Sequence, residues 1–125
     1  MTGVQTCALP IRRPTEAQRG PRAVTQTLCE MALEVAGLAS VPLTDVAGIG
    51  VSCGGPLDRI QGIVQSPPNL PTWDDVPITS ILRDEFKVDC LIENDANAGA
   101  VAEHRFGAGK GSQNMVFLKI GRAHV

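Results

Sequence analysis

Tyrosine is absent from this 125-residue chain, and its aromatic complement is three phenylalanines and one tryptophan. That excludes a large aromatic core, because aromatic rings supply the biggest single burials in most domains. A cysteine framework is missing as well. Cys7, Cys29, Cys53 and Cys90 are scattered, with no C-x-x-C pair and no histidine placed beside one as a metal ligand. The pattern speaks against a disulfide scaffold or a zinc site and fits reduced thiols in the cytoplasm. No apolar run has the length of a membrane span, so no membrane partner is expected. Nor does charge of one sign accumulate. Eleven basic residues against 13 acidic ones leave a net charge of −2, which offers no electrostatic footprint for nucleic acid or an anionic surface.

What is present suffices for one modest domain or part of a larger one. The two ends read differently from the middle. Met1-Thr-Gly-Val-Gln-Thr-Cys-Ala-Leu-Pro-Ile11 has no helical or strand periodicity and lacks the basic start and apolar run of an export signal. It resembles the in-frame translation of a sequencing-library adapter. Ile120-Gly-Arg-Ala-His-Val125 resembles the same adapter read from the opposite strand. The expected division is therefore a foreign tail over 1–11, natural sequence over 12–119, and a second foreign tail over 120–125. On that reading Cys7 and His124 carry no function.

Between the tails, helices and strands alternate. Residues 12–20 read as a loop. Pro21 suits the first turn of a helix, and Val24, Leu28, Met31, Val35 and Leu38 follow at helical spacing. Val46–Ser52 reads as a buried strand, Cys53-Gly-Gly-Pro56 as a turn, and Gly62–Gln65 as a second short strand. Four prolines in Ser66–Pro77 make that segment a stiff loop. Ile78–Phe86 is expected to be a helix with Ile78, Ile81, Leu82 and Phe86 on one face. Val88–Glu93 is expected as a strand, Ala96–Arg105 as a helix, and Met115–Lys119 as a last strand. Such alternation indicates an α/β fold with a mixed sheet and flanking helices.

The most informative stretch is Leu91-Ile-Glu-Asn-Asp-Ala-Asn-Ala-Gly-Ala100. It sets an acid-amide-acid triplet between a strand and a helix. In open α/β sheets ligands bind at the carboxyl ends of strands, and the first turn of a helix favours an ionised carboxylate. Asp95 can thus serve as a general base, or Asp95 and Asn94 can simply cap the helix. Gly107-Ala-Gly-Lys-Gly111 invites comparison with a phosphate loop, yet G-x-x-x-x-G-K-[ST] is absent.

Taken in order, Gly48-Ile-Gly-Val-Ser-Cys-Gly-Gly-Pro-Leu-Asp58, Ser66–Pro77, Glu93-Asn-Asp-Ala-Asn97 and Arg105-Phe-Gly-Ala-Gly109 resemble the repressor, open reading frame and kinase (ROK) family of sugar kinases and sugar-responsive regulators. The resemblance spans about residues 23–119. It implies a partial actin-like ATPase (ribonuclease H-like) fold, of which 12–119 would be much of the N-terminal domain. It also implies an ATP-dependent hexose kinase parent, with Asp95 taking the proton from the attacking sugar hydroxyl. Asn94, Gly55 and Asn69 would lie around the sugar: the amide bonds hydroxyls, and the glycine leaves room for close approach. Gly55 and Asn69 can equally be turn residues serving their own backbone.

ATP and magnesium are implied for the parent, but the family's Asp-x-Gly-Gly-Thr hairpin and its glycine-threonine-glycine loop do not occur in these 125 residues. The polypeptide itself is therefore expected to be inactive. The rival is a sugar-sensing domain of a repressor from the same family, the one case in which nucleic acid would be a partner. A homo-oligomeric parent is expected by family analogy alone. Thr72 stands where the family pattern has glycine before the tryptophan.

Overall fold

The computed structural model describes residues 10–121; Cys7 and His124 lie outside the described residues. A 3-10 turn, Ala17–Arg19, leads into helix α1, Pro21–Leu38. A second 3-10 turn, Leu43–Asp45, precedes strand β1, Ile49–Cys53. Two short strands follow, β2 at Leu57–Asp58 and β3 at Ile63–Val64. Helix α2, Ile78–Phe86, then leads to strand β4, Cys90–Asn94, and helix α3, Asp95–Phe106.

The centre of the fold is the parallel pair β1–β4, in register from Ile49 opposite Cys90 to Cys53 opposite Asn94. β2 and β3 pair antiparallel, and Val64 makes a further antiparallel bridge to Val76. Side chains alternate across β4 as a strand requires. Cys90 and Ile92 are buried while Leu91 is 74% exposed. The buried face meets α2, from which Ile78, Leu82 and Phe86 enter the core with Val24, Val64, Trp73 and Val76. Pro21 opens α1 at its first position, and Arg13 ties the preceding loop to this helix through Glu30 and Glu34.

The proline-rich segment is closed on itself. Ser66 N–H donates to the Trp73 carbonyl at 2.7 Å, and Ser66 Oγ donates to Asp74 Oδ1 at 2.5 Å. Trp73 is the anchor, 3% exposed within the core. Thr72 beside it has φ +68°, a left-handed conformation that favours glycine. Threonine is thus held there at some backbone strain.

Several boundaries move. β1 starts at Ile49 rather than Val46, because Leu43–Asp45 forms a 3-10 turn and Val46 is its C-cap. α3 starts at Asp95 itself, and β4 extends to Asn94. Met115–Lys119 is the one expected strand that does not form. It makes no ladder with either described sheet, and a strand exists only through its pairing partner. The segment lies along α3 instead, leaving Val116 85% and Leu118 76% exposed.

The α2 face gives a direct test. Ile78 is 1% exposed whereas Ile81 is 36% exposed. Ile78→Ala is expected to cost about 2–4 kcal/mol, the range for emptying a buried aliphatic site. Ile81→Ala is expected to cost less, about 1–2 kcal/mol, because about a third of its surface stays in water and the space left opens to solvent rather than forming a closed cavity. Urea unfolding monitored by Trp73 fluorescence checks both.

Candidate functional site

The parallel ladder ends at the Cys53–Asn94 pair, and the site is built around that end. Asn94 is the N-cap of α3: its Oδ1 accepts the backbone N–H of Ala96 at 3.0 Å and that of Asn97 at 3.4 Å. An amide has one oxygen and one NH2 group, so a capping oxygen leaves Nδ2 as the side chain's donor. Gly55 faces that donor. A Cβ built at Gly55 would lie 3.4 Å from Asn94 Nδ2, so the absent side chain keeps the approach to the amide open.

Asp95 is the first residue of α3. Its Oδ1 accepts the Ala96 N–H at 2.9 Å, and its Oδ2 accepts a hydrogen bond from Lys119 Nζ. The Lys119 hydrogen bond above all, with the lysine charge and the Ala96 N–H, holds the Asp95 carboxyl below its ordinary range. At neutral pH the group is an anion with 39% of its side chain exposed. The Cys53 thiol is pushed up, mainly by burial and further by the Asp95 charge. It is therefore a protonated neighbour rather than a nucleophile.

Glu93 supports the junction from the strand side. Its Oε1 accepts the Asn94 N–H at 2.9 Å and Asn97 Nδ2 at 3.1 Å, and its Oε2 lies 3.6 Å from Arg59. The Asn94 N–H first, then the Asn97 amide and the Arg59 charge, hold Glu93 below the usual carboxylate range. Glu93 and Asn97 thus brace the strand-to-helix turn, in keeping with their positions in the sequence.

Asn94, Asp95 and Gly55 are brought together. Asn69 sits on a different element, exposed in the loop between β3 and α2, inside the turn that Leu70 N–H closes onto the Pro67 carbonyl. The residue that sequence reading missed is Lys119. It was legible only as the end of an expected strand, and the signal that marks it is its contact with Asp95.

The glycine-rich stretch after α3 is no phosphate cradle. Its amides are engaged internally: Gly107 and Gly109 N–H donate to the Glu103 carbonyl, Ala108 N–H to Glu103 Oε2, and Lys110 N–H to the Gly107 carbonyl. His104 Nε2 lies 2.9 Å from the Ser112 carbonyl and helps fold the same turn. Among the described residues, no group of three His, Cys, Asp or Glu side chains could hold a metal ion. No helix among the described residues is long and apolar enough to cross a membrane.

The chain is similar to known sugar kinases and repressors. The glucokinase of Thermotoga maritima is 35% identical over 111 residues, covering 89% of this chain and 33% of the relative. A xylose repressor of Bacillus spizizenii is 40% identical over 73 residues, covering 58% of this chain and 18% of the relative. The crystal structure of a ROK hexokinase from Thermus thermophilus superposes with a TM-score of 0.67 at 37% identity, over 81% of this chain and 31% of that one. The chain thus spans about a third of the kinases it matches, and its α/β layers are part of the actin-like ATPase fold. The ROK family profile matches residues 6–123, nearly the whole chain, and the chain therefore belongs to the ROK family.

Proposed function

We propose that residues 12–119 are part of the N-terminal domain of an ATP-dependent hexose kinase, glucokinase-like, in which Asp95 is the catalytic base. The observation that carries this is the polarity of the β4–α3 junction. With its oxygen engaged as the cap, Asn94 offers a donor, while the ionised Asp95 next to it offers acceptors. A sugar hydroxyl held between them accepts from Asn94 through its oxygen and points its proton at Asp95. That is the orientation a hydroxyl needs before it attacks phosphorus. A carboxylate has about four lone-pair positions, so Asp95 retains acceptor capacity beside Ala96 and Lys119. Gly55 leaves room for the sugar ring, and Asn69 supplies a further contact from the proline-stiffened loop.

In this reading the parent draws the phosphoryl group from magnesium-bound ATP, and no residue of the present chain is assigned to hold either. A cytoplasmic, homo-oligomeric parent goes with it by family resemblance. The xylose repressor likeness favours a second reading, in which the same pocket senses a sugar without phosphorylating it. The two differ in what precedes Arg12 in the gene, a phosphate hairpin alone or a helix-turn-helix ahead of it. Long-read sequencing of the locus reads that segment directly. It also tests the foreign-tail assignment, which fails if the genome encodes Met1–Ile11 and Arg122–Val125 as written.

Three outcomes are expected. Asp95→Asn in the full-length parent lowers kcat by at least about 100-fold, the usual worth of a general base; retained turnover removes Asp95 from the mechanism. Asn94→Asp keeps a good cap but loses the donor. Thermal stability should stay near that of the parent while sugar affinity falls about tenfold, the worth of one hydrogen bond; calorimetry measures both. The purified 125-residue chain is expected to phosphorylate no hexose with ATP above background in a coupled assay.

A further inference from the structure

Lys119 reaches Asp95 from outside the helix and from 24 positions along the chain. The approach is set by a second contact one helical turn away. A Cβ built at Gly99 would lie 3.1 Å from Phe117 Cζ, so the phenyl ring rests directly on the helix where a side chain is missing. Gly99 follows Asp95 by four residues, and Lys119 follows Phe117 by two. Four helical residues advance about 6 Å, and two residues of an extended chain advance about 6.6 Å. The two contacts therefore match in pitch when the segment runs against the direction of α3. Phe117 on Gly99 fixes the register, and the register delivers the Lys119 ammonium to Asp95.

The charged surroundings of Asp95 leave this lysine as its cationic partner among the described residues. Glu93, on β4, is turned to Asn97 and Arg59, and Cys53, on β1, faces Asp95 as a neutral thiol. His104, further along α3, is engaged with the Ser112 carbonyl.

We propose that Lys119 is a positioning residue for Asp95, seated by the packing of Phe117 on Gly99, that fixes the carboxylate by one oxygen while the Ala96 N–H fixes the other. The proposal rests on the reading of Asp95 as the base. Its consequence is an Asp95 that stays ionised, and so able to accept a proton, as the solution becomes more acidic. A carboxyl lowered in the folded state adds stability above its ordinary range and loses it as pH falls through the lowered value.

The test is carbon-detected NMR titration of the Asp95 carboxyl in the 125-residue chain, with Glu93 as the internal reference. Lys119→Gln should shift the Asp95 titration upward and leave Glu93 in place. Lys119→Arg should restore most of the lowering. Gly99→Leu, which leaves Lys119 intact but displaces Phe117, should shift Asp95 in the same direction as Lys119→Gln. An unchanged Asp95 titration in Lys119→Gln overturns the proposal. An unchanged titration in Gly99→Leu overturns its packing part. In the full-length parent, Lys119→Gln should move the acid limb of kcat/KM to higher pH, whereas a merely structural loss would lower the profile without moving the limb. Retained turnover in Asp95→Asn would remove the catalytic base and leave the titration result standing, so the two failures are distinguishable.

Discussion

The parallel ladder between Ile49–Cys53 and Cys90–Asn94 is the constraint on which the site depends. Its last rung sets Cys53 opposite Asn94. From there one strand turns through Gly54-Gly55 and the other begins α3. Both turns leave the sheet at the same end, which is why a glycine and a capping amide 39 positions apart in sequence become neighbours. The ladder is anchored from one side, by Ile78, Leu82 and Phe86 beneath Cys90 and Ile92. Any loss of that packing loosens the rung and with it the spacing between Gly55 and Asn94.

Asn94 carries two tasks with one side chain. Its oxygen satisfies helix amides that would otherwise lack partners, and its nitrogen is left facing the open space at Gly55. The capping and ligand-binding interpretations of an Asn-Asp pair at a strand-to-helix turn are therefore compatible. A cap held by the oxygen is what orients the nitrogen.

Much of this was legible in the sequence, for identifiable reasons. α2 was readable because Ile78, Leu82 and Phe86 recur at helical spacing, and the β4–α3 junction because an apolar run meets an Asn-Asp pair and then alanines. Of the short β2–β3 pair, β3 was readable within Gly62–Gln65 and β2 was not. Each strand has two residues, below the length at which alternation becomes visible. Met115–Lys119 shows the opposite failure. Its composition favours a strand, but composition cannot supply a ladder partner, and the segment settled on α3 instead. Lys119 was invisible for the same reason, since its importance lies in a contact between elements.

The match of two residues on the C-terminal segment against four on α3 works as a vernier does, with two scales of different spacing that coincide at one setting. Sliding the segment by one residue would bring Val116 and Leu118, or Leu118 and Ile120, to the two contacts in place of Phe117 and Lys119. No neighbouring setting returns a ring to Gly99 and an ammonium to Asp95 together. On the proposed seating, the lysine contact depends on the ring as well as on the ammonium. Positions 99, 117 and 119 are accordingly coupled, even though these residues are far apart along the chain.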